Sequence, residues 1–329
     1  MHRILRASLS SAMILGAVIA LSACAPEPEP TPTQTPTASA TSTPEPTPTG
    51  PVPAFGGDCA AVVDTAEIAA GMGEDMSFWE AAWVDGADAG MGGVRCAWTS
   101  DQYLSGFATV WAYPAAVLDP AYVSGDASNS CETEEPFCTI SQVFGDTWVG
   151  VQVYSDWSAE QIERMRPVLA GIGERVSEYP TPMAGDLAGW WLPVVTCEQL
   201  ASALSEAGVP STATDDRPVP GPVFVDGPRA RGCTIDVTIQ GEQRTATIHL
   251  DAGAGGGLDS VLALDPSQRV DVDGRTFAYA GEQYPLDGNP GLILGSDGVN
   301  LVSILRGDWD GATALDAPIL AAVLSALEA

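Results

Sequence analysis

The chain contains no lysine. Its thirteen basic residues are all arginine, set against 43 Asp and Glu, and the net charge is −30. A surface of that sign repels phosphate backbones and anionic headgroups. Nucleic acid is therefore excluded as a partner, and so is adsorption to acidic lipid. The missing lysine also removes a Walker A loop and an S-x-x-K nucleophile. Histidine is nearly absent, with only His2 and His249. There is no G-x-S-x-G elbow and no H-E-x-x-H zinc helix, and nucleophilic catalysis needs a base within reach of the nucleophile. No two cysteines stand in a C-x-x-C pair, which argues against a zinc site or a thioredoxin-type motif. The apolar run at 7–20, "ASLSSAMILGAVIA", is fourteen residues long. A helix needs about 20 to span a bilayer.

That run has the flanks of a secretion signal. Arg3 and Arg6 precede it, and the small residues Ser22 and Ala23 follow it, just before Cys24. Residues 1–23 read as a signal peptide. The tetrapeptide Leu21-Ser22-Ala23-Cys24 resembles the lipobox of bacterial lipoproteins. The resemblance implies cleavage before Cys24, a diacylglyceryl group on its sulfur with palmitate-type chains, and a body anchored to the outer face of the cytoplasmic membrane. An ordinary secretory signal with an incidental cysteine is the alternative. Residues 25–53 hold ten prolines and eight threonines. Such a stretch buries too little surface to offset its ordering entropy. At about 3.1 Å per residue in polyproline II it reaches at most roughly 90 Å. Residues 24–53 thus read as a disordered tether, of a composition that also suits O-linked sugars.

Six cysteines remain: Cys59, Cys96, Cys131, Cys138, Cys197 and Cys233. An even number in an exported chain implies disulfides, and six allow fifteen pairings. An internal repeat narrows them. "DCAAVVDTAEIAAGMG" from 58 and "TCEQLASALSEAGVP" from 196 each place a cysteine at the start of an expected helix. Capping-box spacings fall at Asp64 with Glu67 and at Thr196 with Gln199. A second cysteine follows in "CAWTS" and "CTIDV", then "ATVWAY" and "ATIHLD", then "VQVYSDW" and "VSILRGDW". Each copy closes on an amphipathic helix with a proline in its early part. Its apolar positions are Ile162, Met165, Leu169, Ile172 and Val176 in the first, and Leu315, Ile319, Val323 and Leu327 in the second.

The expected fold is α+β: two tandem copies of a two-layer domain, each a mainly antiparallel sheet with its first and last helices on one face. Copy 1 is assigned 54–180 and copy 2 186–329, with a junction at 181–185. Each copy has the parts of its own core, so the two are expected to fold separately. The repeat pairs Cys59 with Cys96 and Cys197 with Cys233, and leaves Cys131 with Cys138.

This layout resembles actinobacterial lipoproteins of unknown function, in which a lipobox and a Thr/Pro linker precede paired-cysteine α+β domains. It is also similar to the extracellular sensor domain of mycobacterial serine/threonine kinases. The resemblance implies an extracytoplasmic binding or sensor-like role and transfers no catalytic residue. Lysine absence beside abundant Ala, Gly, Pro and Asp fits a GC-rich genome of that kind.

The chemistry-bearing residues give little else. "DVDGR" (271–275) has the front of a calcium loop and Glu282 at its twelfth position, but Arg275 and Phe277 occupy ligand positions. Asp-Gly there, as at Asp287-Gly288 and Asp297-Gly298, reads as a hairpin turn. "AGAGGG" (252–257) lacks the strand-to-helix setting of a phosphate cradle. His249 falls on the outward face of its strand, where a solvated side chain is the plain reading. The repeated Trp157 and Trp309 suit a core corner. Trp190 and Trp191, adjacent at the head of copy 2, are the candidate ligand residues, lining a cleft between the copies or packing their seam.

The reading is a membrane-anchored, monomeric, non-enzymatic module that needs no cofactor or metal. It binds a small ligand or an envelope protein on an open sheet face or between the copies. A structural envelope lipoprotein without a small ligand is the alternative. A hydrolase built on two carboxylates is the third reading.

Overall fold

The structure is a computed structural model that describes residues 50–79, 85–100, 106–125, 130–131, 137–155, 158–218, 221–239, 241–264, 266, 269–280, 292–305 and 316–328. The signal segment, Cys24, most of the tether, Trp157, Glu282, Asp287-Gly288, Trp309 and Leu315 lie outside the described residues.

The first cysteine segment does not form the single helix expected. It breaks into α1 (Cys59–Val62) and α2 (Thr65–Met72). Asp58 and Asp64 each accept a hydrogen bond from the backbone N–H two residues on, Ala60 at 2.9 Å and Ala66 at 2.7 Å. Asp64 is thus a second N-cap that restarts the helix in a new direction. Copy 1 continues with β1 (Met76–Trp79), α3 (Asp85–Gly90), β2 (Val94–Ser100), β3 (Phe107–Pro114), α4 (Pro120–Ser124), β4 (Ser130–Cys131), β5 (Phe137–Phe144), β6 (Thr147–Tyr154) and α5 (Ser158–Arg175). Its strands form an antiparallel sheet in the order β1-β2-β3-β6-β5-β4. Glu67 closes no capping box. It pairs with Arg175 at 2.9 Å and ties α2 to α5.

Copy 2 opens with α6 (Cys197–Glu206), where Thr196 and Gln199 form the full capping box. It runs on through β7 (Ser211–Pro218), β8 (Ala230–Ile239), β9 (Glu242–Asp251), α7 (Gly256–Leu264), β10 (Arg269–Val272), β11 (Arg275–Ala280), β12 (Leu292–Ser296), β13 (Leu301–Leu305) and α8 (Asp316–Glu328). These strands make a second antiparallel sheet, ordered β10-β11-β12-β13-β9-β8-β7. Between β10 and β11, Asp273 (φ 49°) and Gly274 (φ 79°) form a tight turn. Positive φ at both central residues is the requirement of a two-residue hairpin loop, so "DVDGR" is a turn.

The α+β fold with two sheets agrees with the sequence expectation, and strand register carries the repeat. Val110 stands opposite Cys96 and Val151, and Ile248 opposite Cys233 and Ile304. Phe78 stands opposite Trp98 as Ala213 does opposite Ile235, and Ile140 opposite Val151 as Ile293 does opposite Ile304. Thus β1-β2-β3-β6-β5 corresponds to β7-β8-β9-β13-β12, and the two sheets differ at the outer edge, where copy 1 adds β4 and copy 2 adds β11 and β10. The disulfides are 59–96, 131–138 and 197–233. Each long link pins the opening helix of its copy to the neighbouring central strand.

In each copy the closing helix packs with the opening one on one sheet face. Ile162, Met165, Leu169 and Ile172 of α5 share a core with Ile68, Met72, Val110 and Val151. Ile319, Leu320, Val323 and Leu324 of α8 share another with Leu200, Leu204, Ile235 and Ile248. Pro167 sits well inside α5 rather than early in it.

The opposite sheet faces depart from expectation. They are open only in part. Every residue of β3 from Ala108 to Pro114 is buried, which requires cover on both sides. Two further apolar clusters supply it, and each mixes the copies. Phe224 of copy 2 packs with Met91, Trp111, Tyr113, Leu118 and Trp148 of copy 1. Ala87 of copy 1 packs with Leu258, Leu294 and Leu301 of copy 2. Residues 47–329 form one compact unit. The expectation of two separately folding halves misses this seam, because either half alone would expose it.

Candidate functional site

The seam is built from equivalent positions of the two copies. On β3, Trp111 and Tyr113 stand one and three residues beyond Val110. On β9, His249 and Asp251 stand one and three residues beyond Ile248. Alternation along a strand puts these four on the face away from the helices. Tyr113 and Asp251 thus occupy matching register, and two charged residues converge with them: Asp88 from α3 and Arg229 from the turn before β8.

Asp88 is the centre of this group and is 1 % exposed. The Tyr113 hydroxyl donates to its Oδ1. Arg229 Nη1 lies 3.0 Å from the same oxygen, and the two side chains of this ion pair are 11 % and 2 % exposed. The contact is an ion pair rather than an aligned hydrogen bond, since Nη1 has no hydrogen-bond partner among the described residues. Asp88 Oδ2 likewise has none. The guanidinium carbon sits 5.8 Å from the centroid of Phe224, within cation–π range. That ring meets Tyr113 edge-on at 5.3 Å. Backbone bonds hold the Phe224 segment in place: Asp119 N donates to Val223 O at 2.9 Å, and Val225 N to Val117 O at 3.0 Å.

Burial and charge act on these groups in opposing ways. Burial pushes the Tyr113 phenol well above its ordinary value, and the Asp88 carboxylate adds to the rise. Burial alone would lower Arg229, but Asp88, Tyr113 and Asp251 outweigh it and hold the guanidinium charged. Burial raises Asp251, with Arg229 and then His249 pulling the other way. His249 is half-buried in the seam, not solvated. Burial lowers it, and Asp251 opposes that shift.

The His249 shift has a readable sign. A histidine depressed in the folded state binds fewer protons there than in the unfolded chain. Stability therefore falls as pH drops below its unfolded value of about 6.5. The raised Asp251 has the opposite slope, since the folded state takes up its proton first. Comparing the chain with His249→Gln isolates the histidine. Chemical denaturation at pH 7.5 and 5.0 is expected to show a smaller acid loss in the variant than in the parent. Equal losses would place His249 in solvent.

Trp190 and Trp191 lead into the same seam. Trp190 is half-buried and packs against three of the four apolar clusters. Its ring lies so close to Gly90 of copy 1 and Gly253 of copy 2 that a Cβ on either would come within 2.7 and 2.2 Å of it. It is a wedge between the copies. Trp191 packs at the edge of the copy 2 core. Asn300, fully buried, fastens this stretch. Its side-chain oxygen accepts from Trp191 N at 3.0 Å and Gly253 N at 3.1 Å, while Nδ2 donates to Gly189 O at 2.8 Å and Asp297 Oδ2 at 2.9 Å.

Sequence reasoning reached the tryptophans but missed Asp88, Arg229 and Asn300. Asp88 is one of 43 acids, and no spacing marks it. Arg229 carried the one available signal, since arginine is scarce and this one stands at a Gly-Pro turn before a cysteine strand. Chemically, the group is a buried carboxylate clamped by a phenol and a guanidinium. Among the described residues no cluster of three or more His, Cys, Asp or Glu is placed to hold a metal ion. No helix among them is long and apolar enough to cross a membrane.

Comparison with family models, curated proteins and solved structures finds no match for the chain.

Proposed function

We propose that this chain is a lipid-anchored extracytoplasmic binding module: Cys24 in the membrane, a tether that ends before Val52 rather than at residue 53, since Val52 already pairs with Met183 through two 2.8 Å backbone bonds, and a two-copy body that presents a fixed surface. The observation that carries this reading is the pairing of every cysteine outside the lipobox in a disulfide. Disulfides persist outside the reducing cytosol, and a signal followed by a Pro/Thr-rich segment is a means of displaying a body there. The clamped carboxylate of the seam favours binding over hydrolysis. Asp88 Oδ1 is committed to Tyr113 and Arg229, which ties this carboxylate to holding the seam.

The expected result is a mature N-terminus at Cys24 with a diacylglyceryl adduct, read by mass spectrometry of the membrane-extracted chain. Cys24→Ser should move the protein to the soluble fraction. Equal membrane retention of the variant would remove the anchor from the account. A thermal-shift screen of small ligands tests binding itself, since a ligand at 100 times its Kd raises stability by about 2.7 kcal/mol.

A further inference from the structure

The seam covers only one end of the copy 1 sheet face on which Tyr113 stands. Toward the other end of β3 the same face carries Phe107. Phe107 lies opposite Tyr154 on β6, and Tyr154 opposite Phe137 on β5. Trp79 on the edge strand β1 completes the row, with its ring 5.6 Å from Phe107. Phe137 and Tyr154 are 4.6 Å apart. Four aromatic rings thus cross the sheet from β1 to β5, a span of four strand steps or about 19 Å. Tyr154 is 37 % exposed and the other three are half-buried. Beside the row, and on the same face, Gln152 Nε2 donates to Thr139 Oγ1 at 3.3 Å.

The fold does not require this row. Copy 2 has the same central strands and puts Thr245 where copy 1 has Phe107, with the Thr245 hydroxyl turned to Asp236. A single exposed ring is ordinary, whereas a contiguous aromatic band marks an interaction surface. Resting on the binding-module reading, we propose that this row is a platform for an uncharged oligosaccharide. The chemistry favours that occupant. The rings are inclined to one another, by 71° at Trp79–Phe107 and 45° at Phe137–Tyr154. They therefore offer apolar faces and edges to the C–H groups of successive sugar units along a curved chain, and the adjacent Gln152 and Thr139 offer donors and acceptors to hydroxyls. A net charge of −30 disfavours anionic polymers and acidic lipid, but it does not penalise a neutral glycan.

The test is intrinsic tryptophan fluorescence of the full chain, disulfides intact, titrated with cellohexaose and with chitohexaose. Saturable binding to at least one is expected. Phe107→Ala and Tyr154→Ala should each weaken it about tenfold, while Tyr154→Phe, which keeps the ring, should retain most of the affinity. Far-UV circular dichroism checks that the variants fold, and the exposed Tyr154 is the safer of the two sites. Absence of binding to both sugars overturns the proposal, as does binding that the alanine variants leave unchanged. Docking of a synthetic peptide of residues 25–49 on the row, in place of either sugar, also overturns it. If a different ligand raises the melting temperature equally in the parent and in Tyr154→Ala, the binding-module reading stands and the platform falls.

Discussion

Arg229→Met is expected to lower the unfolding free energy by about 3–5 kcal/mol, the range for breaking a buried ion pair by removing one partner. The size of the loss comes from what stays behind. Asp88 is 1 % exposed, one of its oxygens already lacks a hydrogen-bond partner among the described residues, and its remaining donor is the Tyr113 hydroxyl. Without the guanidinium, the carboxylate must stay charged in an apolar seam, take up a proton, or open the seam to water. The guanidinium also loses its place over Phe224, a contact of about 0.5–2 kcal/mol. The double variant Asp88→Leu/Arg229→Met is expected to recover much of the loss, because replacing both members of a buried pair by apolar groups is often close to neutral. Urea unfolding of the three proteins measures this. A single variant that loses under 1 kcal/mol would mean the pair is hydrated and the seam is not closed.

The second large effect is removal of the Cys197–Cys233 link. The bridge closes a loop with a sequence separation of 36, for which chain entropy gives about 4 kcal/mol at 25 °C. Cys59–Cys96, at a separation of 37, should give the same. Cys131–Cys138, at a separation of 7, should give about 2.5 kcal/mol. These are large fractions of a typical stability of about 5–15 kcal/mol. The paired substitutions Cys197→Ala/Cys233→Ala and Cys131→Ala/Cys138→Ala, compared by urea melts, should rank in that order. The reverse order would contradict the chain-entropy account of these links.

How far the sequence was legible follows from which signals were local. The paired cysteines, the four-residue spacing of Ile319 and Val323, and the alternation of Ala246, Ile248 and Leu250 each reflect one element facing one core, and all were readable. The break between α1 and α2 was not, because "DTAE" at 64–67 reads equally as the second turn of one helix and as the cap of a new one. The outermost strands, β4 in copy 1 and β10 and β11 in copy 2, do not match one another, so the repeat could not reveal them. The seam was hidden for a further reason. Asp88, Tyr113, Arg229 and Asp251 come from four segments, and their convergence depends on how two sheets face one another. Alternation showed that Trp111 and His249 pointed away from the helices. It did not show that they pointed at the other copy.

The central claim is that the two copies are one body, fixed face to face through Asp88 and Arg229. Native-state hydrogen exchange, read by mass spectrometry in the chain and in Arg229→Met, tests it most directly, because exchange reports the opening free energy of each region separately. The account predicts that amides of β3 in copy 1 and of β9 in copy 2 lose protection together, although the substitution lies in copy 2. Loss confined to copy 2, with β3 as protected as in the parent chain, would show two independent domains and contradict the account.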